Sequence, residues 1–253
     1  MNARYQVERL PEPGCSMAGD GDESHLCSTC AFSHACLATG FDRARLSALE
    51  CVVEHLEPFH AGDFIFRRGD PFHALFALRS GAVKICRTEG DNHQQVLGFY
   101  GTGDVIGVGG IYSQRFPCDA IALDVTYLCR LPFPAISTLA SQIPAVQQHL
   151  LRVLSERLGS VQRLNGNYSA DARVAAFLLD LVARVAARGF SPTRIHLSMP
   201  RTDIASYLRL AAETVSRVMS RFRARKLIAV RGRDVELLNP DRLRDIGQAL
   251  LPL

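Results

Sequence analysis

The chain has 253 residues, 47% of them hydrophobic and 21% charged, with a formal net charge of +4. That size allows one large domain or two ordinary ones with real cores, and that apolar content excludes disorder over most of its length. No apolar run reaches the ~18 residues that a membrane-spanning helix needs, and Met1 to Glu23 carries no apolar signal segment, so a cytoplasmic protein with no membrane partner is expected.

Residues 1–24 are polar and without periodicity, and read as a flexible arm. Residues 25–41 hold Cys27, Cys30 and Cys36 in a C-x2-C-x5-C spacing. A two-residue gap lets one tight turn aim two sulfurs the same way, and a third thiol close by can join them. In a reducing compartment, clustered thiols favour a metal or redox role over a disulfide framework. Spacing alone leaves zinc, a thiol switch and an iron–sulfur cluster open. Cys15, Cys51, Cys86 and Cys118 lie outside this spacing and read as ordinary thiols.

The span 42–143 reads as a sensor domain. It opens with a helix over 42–56, where Leu46, Leu49, Val52, Val53 and Leu56 recur at helical spacing. From Glu57 to Leu131 short apolar runs alternate with turn signals such as Ala61-Gly-Asp63, Arg68-Gly-Asp70, Ser80-Gly81 and Gly101-Thr-Gly-Asp104. Phe64–Phe66, Ala74–Leu78, Ala82–Ile85 and Val96–Phe99 fill the intervals as strands. This regular spacing predicts an antiparallel sandwich or jelly roll.

Helical periodicity returns after Pro134, and residues 144–165 form a long amphipathic helix opened by Pro144. Its stripe runs through Val146, Leu150, Val153, Leu154, Leu158 and Val161. A narrow apolar stripe on a helix between two domains predicts a homodimer seam, here Leu150, Leu154, Leu158 and Val161.

Residues 167–240 form a second domain, with 241–253 left as a tail. From Gly166 to Leu253 there are 15 basic and 8 acidic residues, a net +7, whereas the rest of the chain carries −3. A basic domain behind an acidic one suggests a polyanion partner. Pro200–Leu208 reads as a short helix, Arg209-Leu-Ala211 as a tight connection and Ala212–Arg225 as a second helix. Lys226–Leu238 makes two strands around Arg231-Gly-Arg233. That sequence of elements is a winged helix-turn-helix, whose second helix enters the major groove of double-stranded DNA. Arg217 suits bidentate donation to guanine, Glu213 accepts from a base amino group, and Ser216 is small enough for close approach. Arg221, Arg223 and Arg225 suit phosphates.

Enzyme chemistry has no support. The Gly-rich run 101–110 lacks the Lys-Ser/Thr of a phosphate loop, the eight histidines show no paired ligand spacing, and no nucleophile–base arrangement stands out.

Taken together, the order of parts over residues 25–240 resembles the cAMP receptor protein/FNR superfamily of bacterial transcription factors, FNR-type branch, and Glu213-Thr-Val-Ser-Arg217 resembles its E-x-x-S-R recognition motif. The resemblance implies an α+β protein: an N-terminal jelly roll of the cyclic-nucleotide-binding kind, a dimerisation helix and a C-terminal winged helix-turn-helix. It implies activation of transcription with RNA polymerase at palindromic TTGAT–N4–ATCAA-like sites. It also implies an oxygen-labile 4Fe-4S cluster on Cys27, Cys30, Cys36 and a distal cysteine. Tyr127-Leu-Cys129-Arg-Leu-Pro-Phe133 occupies the distal position, so Cys129 is the expected fourth ligand, with Cys118 as its rival. Oxygen would then shift the protein toward weakly binding monomers. The alternatives are a structural zinc or thiol-redox site on the same fold, or a cyclic-nucleotide sensor. The nucleotide-binding branch uses an acidic residue and an Arg-Ser pair in segment 104–122; here no Arg-Ser pair is present and no Glu sits after Gly107. Two departures from the family pattern are Arg209 in place of a glycine and Ala211 in place of a capping threonine.

Overall fold

The computed structural model describes residues 49–50, 52–89, 93–164 and 168–250. Cys27, Cys30 and Cys36 lie outside them, as do residues 42–48 of the expected first helix. Leu49 and Glu50 are helical, but the end of that expected helix is a strand, β1 (Glu54–His55). Val52, Val53 and Leu56 fit a helical period, yet β1 pairs antiparallel with a later strand, which satisfies its backbone better than an isolated final turn could.

Ten further strands and seven helices follow in the described chain. The sensor strands are β2 (Phe64–Phe66), β3 (Ala74–Ser80), β4 (Ala82–Glu89), β5 (His93–Gly101), β6 (Val105–Ile106), β7 (Asp119–Ala122) and β8 (Tyr127–Pro132), with a short helix α1 (Gly110–Ser113) before β7. They form two four-stranded sheets, ordered β1-β8-β3-β6 and β2-β7-β4-β5, with every pairing antiparallel. This is the expected jelly roll. Leu75, Leu78, Val83, Ile106, Ala120 and Leu128 are buried in the sensor core. Gly81 turns β3 into β4 at φ +91°, and a Cβ there would meet Thr126 Oγ1 at 2.6 Å, so only glycine fits.

Pro132 ends β8, and α2 (Phe133–Gln142) starts at the next residue, followed by α3 (Pro144–Leu164). Ile136, Leu139, Val146 and Val153 bury one face of this pair in the sensor core. No described helix is long and apolar enough to cross a membrane.

His149 shares that inward face at 8% exposure. Arg152 donates to its Nδ1 at 2.7 Å. Burial, then the Arg152 charge, pushes its pKa down from 6.5 to about 4. The unfolded chain therefore takes up this proton first as pH falls. Its contribution to stability is complete above pH ~6.5 and shrinks toward pH 4. Denaturant melts should show a loss of about 2 kcal/mol from this residue between pH 7 and pH 4.5. His149→Gln should flatten that slope; an unaltered slope in the variant would place the acid lability elsewhere.

The second domain comprises α4 (Ala170–Ala186), β9 (Arg194–His196), α5 (Arg201–Leu208), α6 (Ala212–Ala224), β10 (Ile228–Arg231), β11 (Asp234–Leu237) and α7 (Pro240–Gly247). The expected tail is thus largely helical: Leu243 and Leu250 are buried, and α7 packs on α4. Sequence pattern hides this because α7 is short and its one fully buried leucine sits among charges.

Candidate nucleic-acid interface and sensor edge

The helix-turn-helix is built as its sequence predicts. Ile204, Ala205 and Leu208 on α5 and Val215, Val218, Met219 and Phe222 on α6 share one buried core. Arg209 ends α5 in the left-handed region at φ 55°, ψ 47°, a conformation that costs a non-glycine residue roughly 1 kcal/mol. Arg173 of α4 donates to the Leu208 carbonyl at 2.9 Å, satisfying a helix end and placing a cation at its negative pole. Ala211 makes no side-chain cap to α6.

Glu213, Ser216 and Arg217 lie on the outer, exposed side of α6, in its N-terminal half. Arg223, Arg225 and Lys226 follow on the exposed side, and the β10–β11 wing presents Arg231 and Arg233. Arg221 differs from expectation. Its guanidinium pairs with Asp171 in the first turn of α4, which raises its pKa through that hydrogen bond and charge. It ties α6 to α4 in this structure.

The second candidate site lies beside β1, the edge strand of the β1-β8-β3-β6 sheet. Cys129 on β8 stands opposite His55 on β1, with Sγ 3.7 Å from Nδ1. One residue on, Arg130 meets Glu54 at 2.5 Å. Cys129 is half-buried, and the segment carrying the other three cysteines precedes Leu49 and β1, the strand against which Cys129 sits, in the chain. A half-buried thiol at this edge is a soft donor of the kind zinc and iron–sulfur clusters take.

Cys118 precedes β7 in the opposite sheet, where burial pushes its thiol pKa up, against the thiolate a metal needs. Cys86 is fully buried and pushed up to about 11, again mainly by burial. Among the described residues no group of three metal-binding side chains converges; three of the four expected ligands fall outside that range.

The third expected surface is the apolar stripe of α3. Leu150 is half-buried against the sensor core, whereas Leu151 is 59% and Leu154 37% exposed. The side chains of Leu158 and Val161 lie outside the described residues. Leu151, Leu154, Leu158 and Val161 follow a 3-4-3 spacing, which Leu150 does not share. Sequence reasoning passed over Leu151 because two adjacent leucines fit the helical stripe about equally well.

Between the sensor sheets, Phe66 stacks on Phe116 at 3.9 Å, Phe72 meets Phe116 edge-on at 5.5 Å, and Phe76 completes the group. A cluster of aromatic rings thus forms part of the sensor core.

Comparison with known proteins bears on both halves. Residues 56–142 match the family model described as the cyclic nucleotide-binding domain, and residues 172–246 match the Crp-like helix-turn-helix domain. The chain is 38% identical to the transcriptional activator protein Anr of Pseudomonas protegens, covering 86% of this chain and 90% of that protein. It is 31% identical to the fumarate and nitrate reduction regulatory protein of Escherichia coli, covering 95% and 94%. The chain belongs to the CRP/FNR superfamily. This CRP/FNR member is accordingly a DNA-binding transcription regulator and not an enzyme. Among solved structures, FixK2 from Bradyrhizobium japonicum aligns with a TM-score of 0.68 at 26% identity, over 77% of this chain and 97% of that one.

Proposed function

We propose that this regulator senses oxygen, and that it binds palindromic DNA as a homodimer while a 4Fe-4S cluster on Cys27, Cys30, Cys36 and Cys129 is intact. The observation that carries the reading is the half-buried Cys129 beside β1, at the edge where the cysteine-bearing segment joins the sensor fold. The cluster, when bound, supplies an oxygen-labile link between that segment and β8.

The chain's own residues do the rest. β8 runs without a break into α2, whose Ile136 and Leu139 pack in the same core as Val146 of α3. Strain at Cys129 therefore has a packed route to the α3 seam. In the dimer, two α6 helices face successive major grooves, about one helical turn apart. Glu213, Ser216 and Arg217 read a TTGAT–N4–ATCAA-like site, and the exposed arginines hold phosphates. In this reading residues 25–41 bind the cluster, 42–143 sense, 144–165 dimerise and 167–240 bind DNA. The regulator works in the cytoplasm as an activator with RNA polymerase.

The test is anaerobic purification with a visible spectrum, an iron count and DNA binding, each repeated after exposure to air. A coloured protein with about four irons per chain, whose colour and palindrome binding are lost together in air, is the expected result. A colourless protein with one zinc per chain and oxygen-indifferent DNA binding would replace the cluster with a structural zinc site.

A further inference from the structure

The sensor sheet and the helix-turn-helix are joined by more than the chain between α3 and α4. β5 is an edge strand of its sheet, and an open edge leaves backbone groups unpaired. Here α5 covers it. Ser206 Oγ accepts from Val96 N at 2.9 Å and donates to the Gln94 carbonyl at 2.9 Å, so one hydroxyl serves both an edge donor and an edge acceptor.

Beside it, Lys84 on β4 meets Asp203 on α5 at 2.9 Å, with side chains only 12% and 15% exposed. Just beyond β5, Asp104 holds Arg184 of α4 at 3.3 Å and Arg188, in the turn after that helix, at 2.7 Å. Arg184 also donates to the Phe99 carbonyl at 3.0 Å. Between the two ionic contacts, Phe99 of β5 packs against Phe177 of α4 and Tyr207 of α5, with centroids 6.0 and 5.4 Å away. Cys86, Val96, Phe99 and Ile121 of the sensor belong to the same buried cluster as the core of the DNA-binding domain.

Two properties decide what such a contact does. First, it masks nothing: Glu213, Ser216 and Arg217 stay exposed, and so do Leu151 and Leu154. It is therefore not a cover over the reading face or the dimer seam. Second, its polar pairs are largely desolvated and directional. Such pairs contribute little net stability, but they penalise any other register of the two surfaces. Three charge pairs and a reciprocal hydroxyl, with an aromatic contact between them, hold α5 at a fixed angle on β4 and β5. Since α6 shares a core with α5, its angle is fixed too.

We propose that Lys84–Asp203, Ser206 and Asp104–Arg184/Arg188 form a brace that sets the separation of the two recognition helices in the dimer. They are thus positioning residues for the spacing of DNA half-sites. The inference rests on the palindromic, dimeric reading above. The sensor sheet then chooses which spacer between half-sites is bound, and no residue of the brace touches a base.

The test uses the full-length anaerobic protein and duplexes carrying two TTGAT-type half-sites with spacers of three to six base pairs. Wild type should favour one spacer strongly. Lys84→Asp should weaken binding to that duplex by about tenfold and flatten the spacer preference, while sedimentation still reports a dimer. Ser206→Ala, a milder change that leaves all charges in place, should flatten it in the same direction. The double variant Lys84→Asp with Asp203→Lys has the wild-type net charge and should recover both affinity and preference, which loss of a Lys84–phosphate contact would not. Single variants that keep the wild-type preference would overturn the brace alone. A wild type that binds with no spacer preference would overturn the brace and the palindromic reading together.

Discussion

Cys129→Ala is expected to abolish cluster binding and oxygen-responsive DNA binding together, while Cys118→Ala leaves both near wild type. The two thiols are eleven residues apart in sequence, but Cys129 lies on β8 and Cys118 in the bend before β7 of the other sheet. Only Cys129 stands beside β1, where the N-terminal segment joins the fold. Cys129 is half-buried, so trimming its sulfur removes little apolar contact, and a stability cost of about 1 kcal/mol or less is expected. Loss of iron without a matching fall in Tm would then mark a lost ligand rather than a lost fold. Cys118→Ala should cost a similar amount of stability and no iron. Cys86→Ala is a third control, since its buried thiol lies in the core shared by the two domains. The readouts are iron per chain, visible absorbance and palindrome affinity under nitrogen. Iron retained in Cys129→Ala and lost in Cys118→Ala would exchange their roles.

The sequence carried most of this architecture because local signals and tertiary demands agree. Gly-centred turns bound β2 to β5, and Pro144 opens α3 where the pattern requires it. The α5–turn–α6 unit has its apolar positions on one side, so its outer residues follow directly. Agreement fails where two readings fit one string. Val52, Val53 and Leu56 satisfy a helical period, yet pairing with β8 makes their neighbours Glu54 and His55 a strand. Leu150 and Leu151 are both apolar, and only packing on the sensor core turns one inward.

The interdomain brace was illegible for a different reason. Lys84 and Asp203 are 119 residues apart, and each alone reads as an ordinary solvated charge. Asp104 in a glycine turn reads as turn chemistry, and it does accept from Gly101 N at 2.8 Å while also holding Arg188. Charges report their partners only in three dimensions, whereas hydrophobic periodicity reports burial along the chain itself.

Leu154→Glu and Leu151→Glu should each convert the anaerobic dimer to monomer with the cluster retained. Two-fold symmetry places every substitution twice in the interface. Burying a carboxylate without a partner costs several kcal/mol, so two copies raise the dimer Kd by about four decades if each costs roughly 3 kcal/mol. Sedimentation velocity under nitrogen reads this directly, and palindrome affinity should fall with it. Leu158→Glu, one step further along the same spacing, should behave alike. Leu150→Glu provides the contrast. Its side chain packs on the sensor core, so this variant should lower Tm by several degrees, the sign of a damaged domain rather than a split interface. If Leu150→Glu instead dissociates a fully stable protein, and Leu151→Glu leaves the dimer intact, the seam lies on the α3 face that packs against the sensor in this structure. The route from Cys129 through α2 to dimerisation would then have to be redrawn.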